Sequence, residues 1–537
     1  MKRLLFPLLL LLLMAGTAAA EDVSSEECII TATGIHRREA LFDMELEASQ
    51  DVRADACLTL SARDGISGLY LVFDLPYGTL TLTEDERTVQ VDTGGMLHYY
   101  LDAEHALGRL PQSVSLTFSS GGARLNELRV LTPGALPDWV QQWQTIPAGG
   151  ADLLLLSTHG DDEQLFFAGL LPWYASEKGM RVQVVYFTDH RNMVPYRVHE
   201  MLNGLWAVGV RDYPVFGAFP DYYTFDMEDA YGFYESEGYS RQALLAFVVE
   251  NLRYYRPLVA VGHDEKGEYG HGMHQLTSDL LRQAARCSAD PAQFPESAEE
   301  YGAYQVPKTY LHLYGENPII MNWDIPMESF GGKTAYEVTR DLGFPAHASQ
   351  QADFAWYFRG ADRAAEVERY SPCSFGLYYS TVGEDTGEGD FFENLEPSLH
   401  PAEPTQPAPL PTQQPDPSPA LRAAAPVSAA DTNWLAVPAV GTAILAAMTA
   451  FFAAARHEEK IRAFFKKALA FSTPICYYIS ALSDAVYAPV AQLDRVTDYE
   501  SVGRGFESLL AYHDECSYRI CSFENTRHFY CPFCAGS

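Results

Sequence analysis

The sequence predicts an α/β protein: a Rossmann-like parallel sheet with helices on both faces, preceded by a small β-sandwich domain and followed by a transmembrane helix. Three observations carry this expectation. From Ala151 onward, short apolar runs alternate with longer stretches of helical apolar spacing, the pattern of a parallel sheet covered by helices. Between residues 22 and about 135, short alternating runs are separated by Gly, Asp and Asn turns, as in a sandwich. Trp434 to Ala455 is a stretch of 22 residues without a charge, long enough to span a bilayer.

In chain order, Met1-Lys2-Arg3, the apolar run Leu4 to Met14 and the small residues ending at Ala20 read as a secretory signal over residues 1–20. Residues 21–140 form the expected sandwich. Its strands are read at Leu58 to Ser61, Gly68 to Phe73, Thr79 to Leu82, Thr88 to Val91 and Ser113 to Phe118. No catalytic residue types cluster there, so its role is structural or, alternatively, carbohydrate-binding. Residues 150–395 form the α/β unit, with buried strands at Leu153 to Ser157, Val182 to Phe187 and Leu258 to Gly262. Helices are expected over Glu163 to Glu177, Pro195 to Val208, Ala243 to Tyr255 and Gln275 to Ala285. Arg211 to Tyr239 is crowded with aromatics and carries Gly217, Gly232 and Gly238, and it reads as one long loop. Its rings suit either a sugar-binding wall or simple packing.

Residues 396–432 are rich in proline, with ten between Glu396 and Pro426, and cannot bury a core; they read as an extended linker. Behind the apolar stretch 434–455 come Arg456, Lys460, Arg462, Lys466 and Lys467, a cytoplasmic flank. The expected location is therefore the cell membrane, single-pass, with the α/β domain extracytoplasmic. A buried Ala-rich helix is the alternative for this stretch. In the tail 456–537, Val490 to Val496 and Gly505 to Ser508 resemble in-frame translations of the D-arm and T-loop of a bacterial transfer RNA gene. The tail is accordingly read as at least partly a translation through such a gene. The spacing of Cys516, Cys521, Cys531 and Cys534 then reflects chance before a zinc knuckle.

At 537 residues and 47% hydrophobic, the chain has material for two or three folded units. A formal charge of -34, from 71 acidic against 37 basic residues, excludes nucleic acid as an expected partner, because phosphate binding needs a basic face. In an oxidising compartment Cys28 with Cys57, and Cys287 with Cys373, are candidate disulfide pairs. The oligomeric state is not legible.

Chemistry concentrates in two clusters, each directly after an expected strand. Ser157-Thr158-His159-Gly160-Asp161-Asp162-Glu163 follows the first, and His263 to His274 follows Leu258 to Gly262. Ligands of open α/β sheets bind at the carboxyl ends of strands, so the two clusters are expected to form one site. Imidazole and carboxylate are both zinc ligands, and a catalytic zinc has three protein ligands and an open position for water. His159 and Asp162 can converge on one ion across the turn while Asp161 faces the open side as a proton acceptor. His274 is the natural third ligand.

These residues resemble the motifs of the PIG-L/LmbE family of zinc-dependent de-N-acetylases. The first motif, His-Pro-Asp-Asp-Glu, stands here as His159-Gly160-Asp161-Asp162-Glu163. The second, Gly-Tyr-Gly-His-x-Asp-His, stands as Glu268-Tyr269-Gly270-His271-Gly272-Met273-His274, and Arg197-Val198-His199-Glu200 matches the helix bearing Arg-x-x-Glu. The resemblance spans about Leu153 to Leu395 and implies an LmbE-like fold. It also implies one Zn2+ on His159, Asp162 and His274, with Asp161 as general base. His271 would be a charged group serving the oxyanion or the leaving amine, Tyr269 would lie at the carbonyl oxygen, and Arg197 would contact substrate. The implied substrate is an N-acetylated amino sugar. A weakly active glycan-binding scaffold, or an amidase for another N-acyl conjugate, is the alternative. Two positions depart from the pattern: Gly160 replaces proline, and Met273 replaces an aspartate that would partner the histidines.

Overall fold

The computed structural model describes residues 19–397, apart from 25–27, 36, 44, 191–195 and 387–388. The expected signal up to residue 18, the linker beyond residue 397, the membrane span and the tail lie outside the described residues. No helix among the described residues is long and apolar enough to cross a membrane.

The amino-terminal region holds β1 (Ile29–Thr33), β2 (Gln50–Val52), β3 (Cys57–Ser61), β4 (Gly68–Phe73), β5 (Thr79–Glu84), β6 (Arg87–Asp92), β7 (His98–Asp102), β8 (Ser113–Phe118) and β9 (Ala123–Leu131). They form two antiparallel sheets, ordered β1-β3-β8-β5-β6 and β2-β9-β4-β7. Strict alternation explains the first sheet: Leu58, Leu60, Leu80, Leu82, Val114 and Leu116 are buried. The intervening hydroxyl residues pair on the other face, with Thr59 and Ser115 at 3.2 Å. The register sets Thr33 opposite Cys57 and Ile29 opposite Ser61. Cys28 and Cys57 therefore sit at opposite ends of one ladder, and no disulfide joins them.

The central domain contains β10 (Leu153–Ser157), β11 (Val182–Thr188), β12 (Val215–Phe219), β13 (Val259–Gly262), β14 (Lys308–His312), β15 (Pro318–Ile320) and β16 (Ser374–Ser380). Their order is β12-β11-β10-β13-β14-β16-β15. β10 to β14 pair in parallel, and the edge formed by β16 and β15 is antiparallel. Period-two burial feeds both faces. Leu153 and Leu155 pack with Val198, Met201, Leu202 and Leu205 of the helix Tyr196–Ala207. Leu154 and Leu156 pack with the helices Met227–Ser236, Arg241–Tyr255 and Gly272–Cys287. Cys373 belongs to the first face and Cys287 packs against the second, so the sheet separates them and no disulfide forms.

The chain runs from β10 outward to β11 and β12, then returns to place β13 on the other side of β10. That reversal leaves a crevice beyond the carboxyl ends of β10 and β13, where the two polar clusters emerge.

Two expectations are corrected. Glu163 to Glu177 is not one helix: the chain makes successive turns from Asp162 to Gly169, and a wide helical stretch covers Pro172–Glu177. Gly169 has φ +94°, outside the helical region, and a Cβ there would lie 2.5 Å from Trp323. Arg211 to Tyr239 is not one loop, since it supplies β12 and the helix Met227–Ser236. Asp226 caps that helix by accepting the N–H groups of Glu228 and Asp229 at 2.8 and 3.0 Å. Gly217 is a site of close approach within β12, where a Cβ would fall 2.0 Å from the carbonyl oxygen of Phe187.

A buried chain of hydrogen bonds ties the amino-terminal sheets to the helix Tyr196–Ala207. Tyr70 Oη meets His98 Nδ1 at 2.8 Å, His98 Nε2 meets His199 Nδ1 at 2.9 Å, and His199 Nε2 meets Asp74 Oδ1 at 3.2 Å. Asp74 only accepts, so the protons run one way: Tyr70 donates to His98, His98 to His199 and His199 to Asp74.

Candidate functional site

Among the described residues two buried sets of donors could hold a metal ion, His159/His271/His274 and Asp162/His263/His274. Hydrogen bonding sorts the five side chains. His263 Nε2 accepts the N–H of Thr158 at 3.0 Å and its Nδ1–H donates to Glu268 at 2.8 Å, so both of its nitrogens are committed. His271 caps the helix Gly272–Cys287, its Nδ1 accepting the N–H of Met273 at 3.2 Å. Three atoms remain facing one another: His159 Nδ1, Asp162 Oδ2 and His274 Nε2. The first lies 3.1 Å from each of the other two, and those two are 3.3 Å apart.

The far nitrogen of each of the two imidazoles is engaged by a carboxylate. His274 Nδ1 donates to Glu268 at 2.8 Å, and His159 Nε2 donates to Asp221 at 3.1 Å. With the far nitrogens donating, the facing nitrogens can offer lone pairs once a cation displaces their protons, and three ligand atoms converge on one point. Such a set calls for a cation, and bonds of about 2.0–2.1 Å in a tetrahedron require donor separations of about 3.3 Å. The residues fit a metal of the zinc type. Electrostatics agree. Burial opposes charge on His159, yet Asp221 and Asp162 raise its pKa to about 10; burial likewise opposes charge on His274, yet Asp162 and Glu268 raise it to about 9. The cage favours positive charge at its centre.

Glu268 is fully buried and accepts from three imidazoles: His263 and His274 at 2.8 Å each, and His312 at 2.6 Å. It occupies the place of a motif glycine, so pattern matching gave it no role. Asp221, hidden among aromatics in the sequence, reaches His159 only through the fold. Neither had a local signal beyond being a carboxylate near a polar cluster.

Asp161 lies beside the donor set and is 3% exposed; burial pushes its pKa up to about 7, against the downward pull of Arg197. Arg197, expected to contact substrate, lies against the motif turn. Its guanidinium donates to the carbonyl of Gly160 at 2.8 Å and stands 3.5 Å from Asp161 Oδ1, which makes it a partner of the base. Burial first, and then the neighbours His159 and His274, lower the pKa of His271 to about 2. With Nδ1 accepting from Met273, the neutral ring carries its proton on Nε2 and is a donor. Its ring centre is 4.9 Å from that of His159 and 4.7 Å from that of His274. The Tyr269 ring lies 5.4 Å from His271, on a left-handed backbone with φ +47°. A non-glycine residue held there costs about 1–3 kcal/mol and marks a position over-determined by its surroundings. Glu163 does not face the donor set; it pairs with buried His347 at 2.9 Å.

The two departures from the motif have local causes. A Cβ at Gly160 would sit 2.3 Å from Met201 Cγ and Sδ, leaving no space for proline. Met273 is fully buried in the apolar cluster with Leu276 and Leu280. Its side chain belongs to the core, and Glu268 serves His274 from the loop before the helix.

Residues 154–285 match the PIG-L family, described as GlcNAc-PI de-N-acetylase. The chain is 29% identical over 222 residues to the 1D-myo-inositol 2-acetamido-2-deoxy-alpha-D-glucopyranoside deacetylase 1 of Catenulispora acidiphila, covering 37% of this chain and 67% of that protein. It is 29% identical over 180 residues to the corresponding deacetylase of Streptomyces scabiei, covering 29% of this chain and 55% of that one. The match thus spans between about half and two thirds of these relatives. A solved structure, the N,N'-diacetylchitobiose deacetylase of Pyrococcus horikoshii with its inhibitor MPG, is 14% identical and covers 42% of this chain and 82% of that chain, with a TM-score of 0.29. The central domain is PIG-L/LmbE-like.

Proposed function

We propose that the protein is a zinc-dependent hydrolase that removes acetyl from an N-acetylglucosamine-type conjugate outside the cytoplasmic membrane. The observation that carries the reading is the convergence of His159 Nδ1, Asp162 Oδ2 and His274 Nε2 at 3.1–3.3 Å, with Asp161 beside them. The relatives named as deacetylases of an acetamido sugar support the substrate class. Zinc held by those three side chains supplies a polarised carbonyl and a water of lowered pKa.

The rest of the chemistry belongs to the chain. Asp161 takes the proton from the attacking water, and its raised pKa suits a base working near neutrality. Arg197 holds that carboxylate in place. His271 offers Nε2–H to the developing oxyanion from a buried position, and Tyr269 borders the same space. The proton gathered by Asp161 passes to the amine as the C–N bond breaks, leaving acetate and a free amino sugar.

In this reading the two amino-terminal sheets form a β-sandwich beside the active domain. Residues 434–455 anchor the chain in a single pass, and residues 396–432 set its reach. The test is acetate release from N-acetylglucosamine conjugates by wild type and Asp161→Ala, with and without chelator. Chelator-sensitive release that Asp161→Ala loses is the expected result; release unchanged by either treatment removes the mechanism.

A further inference from the structure

The segment 220–226 joins β12 to the helix Met227–Ser236 and borders the candidate site. It is pinned along its length. Asp221 accepts from His159 Nε2 at 3.1 Å, the Thr224 carbonyl accepts the N–H of Gly272 at 2.7 Å, and Asp226 caps the following helix. The approach is so close that a Cβ on Gly272 would fall 2.6 Å from the carbonyl oxygen of Asp226. Tyr222 stacks on Phe233 with ring centres 4.3 Å apart and planes at 5°.

A segment fixed at so many points has a settled place for its remaining side chains, yet Tyr223 is 67% exposed and Phe225 61%. The two rings meet edge to face at 5.2 Å, and Tyr223 meets His271 edge to face at 5.0 Å. Two aromatic rings held in water beside a catalytic histidine have no packing explanation within the described residues. Clustered exposed apolar side chains at the rim of a polar site mark a binding surface.

The occupant follows from position. Tyr223 adjoins His271 and Phe225 lies beyond it, so a sugar ring extending outward from an N-acetyl group bound at His271 would meet these two faces. A pyranose presents a face of C–H bonds to an aromatic ring while its hydroxyls stay in water, so the two surfaces match. We propose that Tyr223 and Phe225 form a stacking platform for the sugar ring adjoining the acetamido ring. The substrate is then a disaccharide or longer glycan and not a free monosaccharide. This rests on the deacetylase reading above and specifies the size of the substrate.

The test uses the full-length protein loaded with zinc, and compares N-acetylglucosamine with N,N'-diacetylchitobiose for wild type, Phe225→Ala and Tyr223→Ala. Wild type is expected to favour the disaccharide. Phe225→Ala is expected to lower kcat/KM for the disaccharide by about tenfold, the order of one lost stacking contact, and to leave the monosaccharide within about twofold; Tyr223→Ala, whose ring also touches His271, is expected to lower the disaccharide more than the monosaccharide. Equal losses on both sugars, or no loss on either, overturn the platform. Calorimetric titration of Asp161→Asn, with and without Phe225→Ala, separates the two readings. If wild type releases acetate from neither sugar, hydrolysis fails as an assignment, while disaccharide binding weakened by Phe225→Ala still upholds the platform. Absence of disaccharide binding overturns it.

Discussion

Glu268 Oε2 accepts the Nδ1–H of His274 at 2.8 Å from a position six residues earlier in the chain, with both side chains fully buried. That bond fixes the tautomer which turns Nε2 toward Asp162 and His159. Outer carboxylates of this kind typically alter metal affinity by about 10–100-fold. Glu268→Gln is therefore expected to weaken zinc binding by about that range in a competition titration against a chromophoric chelator. Retained affinity would show that packing alone orients His274.

Met273→Asp restores the residue of the family pattern but puts a carboxylate into a fully buried apolar cluster. The substitution is expected to destabilise the protein by about 3 kcal/mol or more, read in chemical denaturation, with no gain in activity per folded molecule. A more active and equally stable variant would mean that Glu268 does not do the work of the missing aspartate.

Gly160→Pro, the other restoration, meets Met201 at once, because the space for its Cβ is 2.3 Å from that side chain. A loss of about 1–3 kcal/mol is expected from this overpacking. Adding Met201→Ala should recover part of it, a non-additivity that a double-mutant cycle of thermal unfolding would show.

His98 is buried between Tyr70 and His199, and burial first, then His199, hold its pKa well below the usual 6.5. The unfolded chain binds a proton there below about pH 6.5 while the folded one does not. Stability is therefore full above about 6.5 and falls as the pH drops below it toward the folded value. Urea midpoints measured from pH 7.5 down to 5 should decline in wild type and decline less in His98→Gln. Identical slopes would place the acid sensitivity elsewhere.

The sequence by itself determined the alternation that builds the central sheet, because apolar runs of strand length followed by helical spacing admit few other folds. β10 was bounded to the residue, and the helices Tyr196–Ala207, Arg241–Tyr255 and Gly272–Cys287 to within a few residues. It also offered His159, Asp162 and His274 as candidate ligands, because both polar clusters follow strands whose carboxyl ends border the crevice. The aromatic stretch after Arg211 misled because glycine has two meanings: Gly217 marks a close approach within a strand, which composition cannot distinguish from a turn.

Only the tertiary structure decided which carboxylates serve the histidines. Asp221 lies 62 positions from His159, and Glu268 replaces a partner that the motif places next to His274. It also decided that Arg197 leans on Asp161 and that His98 meets His199 across 101 positions. The physical reason is one of range. Backbone periodicity is written in neighbours a few residues apart, whereas a hydrogen bond depends on an approach of about 3 Å that only the folded chain creates.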